Sequence, residues 1–336
     1  MKRKSRCAVA QNPEGRRDTS KDHLRLLARV ARMYHEQELR QPEIAAALNI
    51  SQPRVSRLLK EAVTRGMVRT VVTLPDGVHT ELEEELQRRY GLRDAVVVDV
   101  EEFQDDVLAP LASAAASYLN VTFTGGDVIG ISSWSETLLA TVERMPQKNA
   151  QVADRVIQLV GGVGSPEAQV HATRLVARLA NLTYARPVFV PLPGVVATTT
   201  IRDALLQDPS VLDVQAQWND LTVVLVGIGS LEPSPLLLSS GNAVSQADQE
   251  ELRALGAVGD VCLHFFDAAG KPVDSGFDQR VIGIDAPAFR AVGRRVGVAG
   301  GLRKVSAIRA AVEGGWINVL ITDLRVARRL LAPAVK

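Results

Sequence analysis

From Ala95 onward the sequence repeats one pattern, a short and almost continuous apolar run followed by a longer stretch with helical spacing. The runs are Ala95–Val100, Asp127–Ser132, Arg155–Val160, Pro187–Leu192, Leu221–Gly229, Arg280–Ile284, Arg295–Gly300 and Ile317–Asp323. A strand wetted on one face alternates apolar with polar residues, whereas one that is apolar throughout must be covered on both. Such strands, separated by helices, predict a parallel sheet clad on both sides. Ligands of these sheets bind outside the carboxyl ends of the strands.

Several of those ends carry polar or glycine-rich turns. After Ile131 the sequence reads SSWSET, Ser132 to Thr137, and opens a helix; hydroxyls and free N–H groups there suit an anion or a sugar. GGVGS follows Val160 (Gly161–Ser165) and GIGS follows Val226 (Gly227–Ser230). AGGLRK, Ala299 to Lys304, follows Val298 and brings Lys304 to the first turn of another helix. Singly these are ordinary turns of an α/β protein. At the same end of one sheet they favour a small polar ligand.

Nothing in the sequence assigns chemistry to that ligand. There is no Gly-x-Ser-x-Gly elbow, no Walker lysine motif and no metal-spaced His/Asp cluster, and GGVGSP lacks the dinucleotide spacing. His23, His35, His79, His171 and His264 are scattered, and His264 in CLHFF reads as a core or lining residue. A general base could come only from Glu136 or Asp260, neither with an evident partner. The reading is a binding domain, not an enzyme, with no cofactor or metal.

The N-terminal segment differs in charge. Residues 1–74 hold 16 Lys/Arg and 7 Asp/Glu, the rest 23 and 31, so only the first part is suited to a polyanion. Asp22 to Leu39 reads as a helix with Leu24, Leu27, Ala31 and Tyr34 on one stripe. Pro42 suits the first turn of a second helix, which ends near Leu48. Ser51 suits the N-cap of a third, and Gly66 its left-handed end. Met67–Leu74 reads as a β element. Together these describe a winged helix-turn-helix, whose third helix enters the major groove. Its outward residues Gln52, Arg54, Ser56 and Arg57 are of the types that meet base edges or phosphates.

Pro75-Asp76-Gly77 is a turn, and His79–Gly91 then forms a connector or self-association helix, or a surface helix of the next domain. The organisation read from the sequence is a basic disordered tail at 1–21, a DNA-binding domain at 22–75, a connector at 76–92 and an effector domain at 93–336. A chain of 336 residues accommodates two domains. No apolar run reaches the roughly 18–20 residues of a membrane span, and the polar start is no signal peptide. Cys7 and Cys262 are the only cysteines, which fits a reducing cytoplasm.

With these features placed, the chain resembles bacterial transcriptional regulators of the sorbitol-operon regulator family, the SorC/DeoR group, over roughly residues 22–332. The likeness rests on YHEQELRQPEIAAALNISQPRVSRLLKEAVTRGMV, QLVGGVGSP, VGIGSL, LRALGAVGDVCLHFFDAAGKPVD, RVIGI and VAGGLRKVSAIRAAVEGGWINVLITD. The resemblance implies a Rossmann-like effector domain similar to sugar-phosphate isomerases and deaminases but emptied of catalysis; the alternative is such an isomerase or deaminase with an accessory DNA-binding domain. It also implies operator DNA, a sugar, polyol or phosphosugar effector, and a homo-oligomer, dimer or tetramer. The implied effector residues are Trp134, Ser135, Glu136, Thr137, Asp260 and Lys304. Trp134-Ser135 stands where phosphate-binding relatives often carry Gly-Gly, and Glu136 would repel a phosphate, whereas Lys304 would attract one.

Overall fold

The computed structural model describes residues 15–68, 77–100, 106–232, 237–238 and 244–333. The chain divides into two compact units, 1–74 and 75–336.

The first unit contains helices α1 (Gly15–His35), α2 (Gln41–Leu48) and α3 (Gln52–Thr64). Leu27, Val30 and Ala31 of α1, Ile44 of α2, and Val55, Leu58, Leu59 and Ala62 of α3 form one core. Pro42 lies in the first turn of α2, where Glu43 accepts a hydrogen bond from the Arg40 N–H at 2.7 Å. Asn49, left-handed at φ 53°, ends α2, and the Ile50 N–H returns to the Ala45 carbonyl at 3.0 Å, which makes the interhelical turn tight. Asn adopts this conformation more readily than most residues.

Three details depart from the sequence reading. Helix α1 includes residues from Gly15 on, inside the segment read as a tail, because a polar run can continue a helix that apolar periodicity does not mark. Tyr34 is exposed, and Val30 and Met33 are buried instead, because the position of α3 selects which stripe of α1 is covered. Ser51 occupies the N-cap of α3, but its hydroxyl makes no cap bond. Pro53 supplies no N–H at one of the two positions a cap can reach, and the Arg54 N–H goes to the Ser51 carbonyl. The tail up to residue 14 and the β element, apart from Met67 and Val68, lie outside the described residues.

In the second unit, α4 (Thr80–Tyr90), β1 (Asp94–Val98), α5 (Leu108–Thr122), β2 (Asp127–Ile131), α6 (Glu136–Arg144), β3 (Ala153–Gln158), α7 (Pro166–Thr183) and β4 (Arg186–Val188) come first. Then follow α8 (Thr199–Leu205), α9 (Pro209–Trp218), β5 (Val223–Gly227), β6 (Gly229–Ser230), α10 (Gln246–Ala254), β7 (Ala257–Val261) and β8 (His264–Asp267). The chain closes with α11 (Ala286–Ala291), β9 (Arg294–Val298), α12 (Val305–Glu313), β10 (Val319–Asp323) and α13 (Leu324–Leu331). The main sheet has strand order β1-β10-β9-β5-β2-β3-β4, with every pairing parallel.

Its strands are apolar along most of their length because each face has its own core. Ile129, Ile131, Val223, Leu225, Val296 and Ile321 pack under α5, α6 and α7. Val128, Val224, Val226 and Leu320 pack with α4, α9, α11, α12 and α13. The segment read as a connector belongs to this unit. Leu86 of α4 is fully buried, and Glu83 accepts a hydrogen bond from the Val97 N–H on the outer edge of β1 at 2.9 Å. An edge strand whose N–H is occupied is a poor template for further pairing. Arg89 and Tyr90 of α4 donate to the Leu331 and Leu330 carbonyls, each at 2.7 Å, satisfying the end of α13.

Arg280–Ile284 is not a strand of the sheet. It is an antiparallel strap across the loops beyond β3, with the Ile284 N–H on the Leu159 carbonyl and the Gly161 N–H on the Ile282 carbonyl. Its residues are apolar because that strap is buried. An antiparallel ladder β6-β7-β8, absent from the sequence reading, lies beyond the end of β5.

Candidate functional site

The outward face of α3 carries Gln52, Arg54, Ser56 and Arg57, all exposed, while Val55, Leu58 and Leu59 face the core. The C-terminal half of the helix is tied to α1 by His23 and Glu61 at 3.0 Å, and Arg65 adds a contact to Glu61 at 2.7 Å. The hydrogen bond from His23 and the Arg65 charge hold the Glu61 carboxyl below its ordinary range. The N-terminal half is thus the part left to meet a partner. Within it Arg57 is partly restrained, its Nε donating to the Pro53 carbonyl at 3.3 Å.

The second site is at the carboxyl edge of the sheet, between β2 and β5, where the strand order reverses direction. Ser135 caps α6, its hydroxyl accepting from the Leu138 N–H at 3.2 Å. That hydroxyl lies against the end of β5, since a Cβ on Gly227 would come within 2.9 Å of it. Two residues on, Gly229 pairs with Asp260 in the β6-β7 ladder, and a Cβ on Gly229 would fall 1.9 Å from the Asp260 carboxylate. Only glycine leaves room for that carboxylate. From the other side, Lys304 donates to the Ile228 carbonyl at 2.8 Å. The backbone of residues 227–229 therefore gathers Ser135, Asp260 and Lys304.

The electrostatics of this group are unusual. Burial pushes the Asp260 carboxyl up to about 6, although the Leu263 N–H at 3.0 Å, Lys304 and His264 all favour its charged form. Burial also lowers the Lys304 ammonium, helped by Arg303 and opposed by Asp260 and Glu136. An acid and an amine, both partly desolvated, can accept from and donate to hydroxyl groups. The Trp134 Nε1–H is buried with no acceptor among the described residues, so a ligand oxygen could take it. Glu136 is exposed and Thr137 half-buried in the first turn of α6.

Two supports escaped the sequence reading. Ser133 is buried, donates to the Val160 carbonyl at 2.7 Å and accepts from the Gln158 side chain at 3.0 Å. Gln158 also accepts from the Val190 N–H at 2.8 Å and so fixes the loop that carries Trp134 and Ser135. Gln158, the one uncharged polar residue in the otherwise apolar RVIQLV, was the available signal. His264 is buried, with Nδ1 3.0 Å from Asp278 and Nε2 2.8 Å from the Ile284 carbonyl. Burial lowers its basicity, but these two partners and the Asp278 charge outweigh burial and raise it overall. With both nitrogens engaged it is a strut between β8 and the Arg280–Ile284 strap rather than a base.

A helix-turn-helix with an exposed third helix, and polar side chains gathered at the carboxyl edge of a parallel sheet, are the features of a DNA-binding protein with a ligand-binding α/β domain. Residues 77–332 match the family model described as "Putative sugar-binding domain", and residues 16–81 match a helix-turn-helix domain. The sorbitol operon regulator of Klebsiella pneumoniae is 28% identical over 92% of this chain and 98% of that protein. The deoxyribonucleoside regulator of Bacillus subtilis is 31% identical over 94% and 99%. The crystal structure of the full-length K. pneumoniae regulator SorC superposes with a TM-score of 0.70 at 27% identity, covering 92% of this chain and 99% of that one. The chain belongs to the SorC family of transcriptional regulators, a helix-turn-helix domain joined to a sugar-binding domain, and is a regulator rather than an enzyme. No helix among the described residues is long and apolar enough to cross a membrane.

Proposed function

We propose that this regulator controls a carbohydrate-utilisation operon in the cytoplasm, and that a sugar, polyol or phosphosugar bound by Trp134, Ser135, Glu136, Thr137, Asp260 and Lys304 changes its affinity for operator DNA. The observation that carries the reading is the convergence of Ser135, Asp260 and Lys304 on the 227–229 backbone. Two carboxylates flank one ammonium there, a set suited to a hydroxyl-rich ligand. A phosphorylated one would rely on Lys304 and be opposed by Glu136. Gln52, Arg54, Ser56 and Arg57 read or grip the DNA, and a dimer or tetramer presents two such helices to a palindromic site.

A ligand acts as a switch only through its different affinity for the DNA-competent and incompetent states. A thermal-shift screen with sorbitol, erythritol and deoxyribose, each free and phosphorylated, tests the site, because a ligand of the native state raises the transition. Asp260→Ala should leave operator binding near wild type and abolish the response to the ligand found. A normal response in that variant would remove the pocket from this part of the sheet. Light scattering that gives a monomer at micromolar concentration, with and without DNA, would remove the oligomer.

A further inference from the structure

Asp323 ends β10 and its side chain is fully buried. One carboxylate oxygen, Oδ1, accepts from the Arg325 and Val326 N–H groups at 3.0 and 3.1 Å and caps α13. The other, Oδ2, accepts from the Gly301 N–H at 2.6 Å, a contact from β10 to the turn after β9. Capping a helix requires one oxygen, and serine supplies it as well as aspartate does. A fully buried carboxylate is costly to desolvate unless its oxygens are well bonded. The cap and the Arg325 guanidinium, whose Nε lies 3.8 Å from Oδ1, account for the first oxygen and the charge, and leave the second oxygen to the turn.

The turn is built around that oxygen. A Cβ on Gly300 would lie 2.6 Å from Oδ2 and 2.7 Å from Leu111 of α5, so no side chain fits. Gly301 has φ 89°, a conformation that favours glycine. The chain then enters the 3-10 turn Leu302–Lys304, with the Lys304 N–H on the Gly301 carbonyl at 2.9 Å, and from it the Lys304 ammonium reaches the Ile228 carbonyl. Each step from Asp323 to the ammonium is fixed by a hydrogen bond or by steric fit.

We propose that Asp323 is the positioning residue of the effector site: its second oxygen sets the Gly300–Gly301 turn and thereby the place of Lys304. This rests on the effector-site reading above, yet its test needs no ligand. In the full-length protein, Asp323→Ser keeps an oxygen for the helix cap and removes the one facing Gly301. Hydrogen exchange at Gly301 should quicken at least tenfold while Arg325 and Val326 keep their protection. The pH midpoint for acetylation of Lys304, which burial lowers, should rise toward the ordinary lysine value of 10.5 as the ammonium moves into water. Should the serine variant not fold, Asp323→Asn serves. Its single acceptor oxygen can serve the cap or the turn, and the same two readouts apply.

Unchanged exchange at Gly301 with an unchanged Lys304 midpoint overturns the proposal. So does equal loosening of 299–304 and 324–327, which would make Asp323 a helix cap only. If none of the six sugars binds while both readouts move as expected, the effector reading fails and the positioning role stands.

Discussion

The exposed face of α3, proposed to read DNA, and the polar group at the carboxyl edge of the sheet, proposed to hold the effector, are built in opposite ways. Gln52, Arg54, Ser56 and Arg57 sit within six residues on one exposed helix. Ser135, Asp260 and Lys304 come from loops and strands far apart in sequence, are partly or wholly withdrawn from water, and are each engaged by the protein itself. A surface that meets a large polyanion can leave its side chains solvated and adaptable. A pocket for a small molecule must hold a few groups in advance, since each contact counts for more.

This contrast predicts that damage stays within one unit when it strikes a core, and the largest effect tests it. Leu58→Ala should remove about 2–5 kcal/mol from the helical unit. It should abolish specific and non-specific DNA binding and leave the transition of the sugar-binding unit in place. A calorimetric trace in which both transitions fall together would break the comparison.

Arg54→Ala should cost about 1–3 kcal/mol of operator discrimination. Arg57→Ala should cost less, because Arg57 already spends one donor on Pro53. Titrating operator and scrambled DNA with both variants checks this; equal losses on the two DNAs would make these arginines phosphate contacts.

The third effect concerns pH. In the unfolded chain Asp260 ionises near its ordinary value of 3.8; in the folded protein it does so near 6. Its neutral form favours folding, so stability from this group is present below about pH 4 and is lost as pH rises through 6. The loss is on the order of 2 kcal/mol after allowing for partial exposure. Asp260→Asn should thus be the more stable protein at pH 7–8 in urea unfolding and lose its advantage at pH 4. A flat difference across that range would mean that the carboxyl is solvated.

The smallest effect is at α4. Tyr90→Phe removes the bond to the Leu330 carbonyl and the acceptor for Arg309 at 2.8 Å, and should cost about 0.5–1.5 kcal/mol in the sugar-binding unit alone. A larger loss, or one felt by DNA binding without ligand, would show that the end of α13 matters beyond its unit.

The sequence by itself determined much of this protein. The apolar runs gave the two-sided parallel sheet, since burial on both faces is written into each strand as composition. The Pro42, Ser51 and Gly66 spacing gave the helix-turn-helix, since helix starts and stops depend on neighbours in the chain. It also named Asp260 and Lys304, through the resemblance and through glycine turns that face one way in any parallel sheet. Tertiary structure decided the rest. RVIGI has the composition of a strand, and only the packing of the loops beyond β3 makes it a strap. Tyr34 shares a helical stripe with Leu27, and only the seat of α3 leaves it outside. That Gly229 must be glycine follows from the β6-β7 ladder, and that Gln158 steadies Ser133 and Asp323 holds Gly301 follows from strand order β1-β10-β9-β5-β2-β3-β4. Strand order juxtaposes residues tens to more than a hundred positions apart, and no local periodicity encodes it.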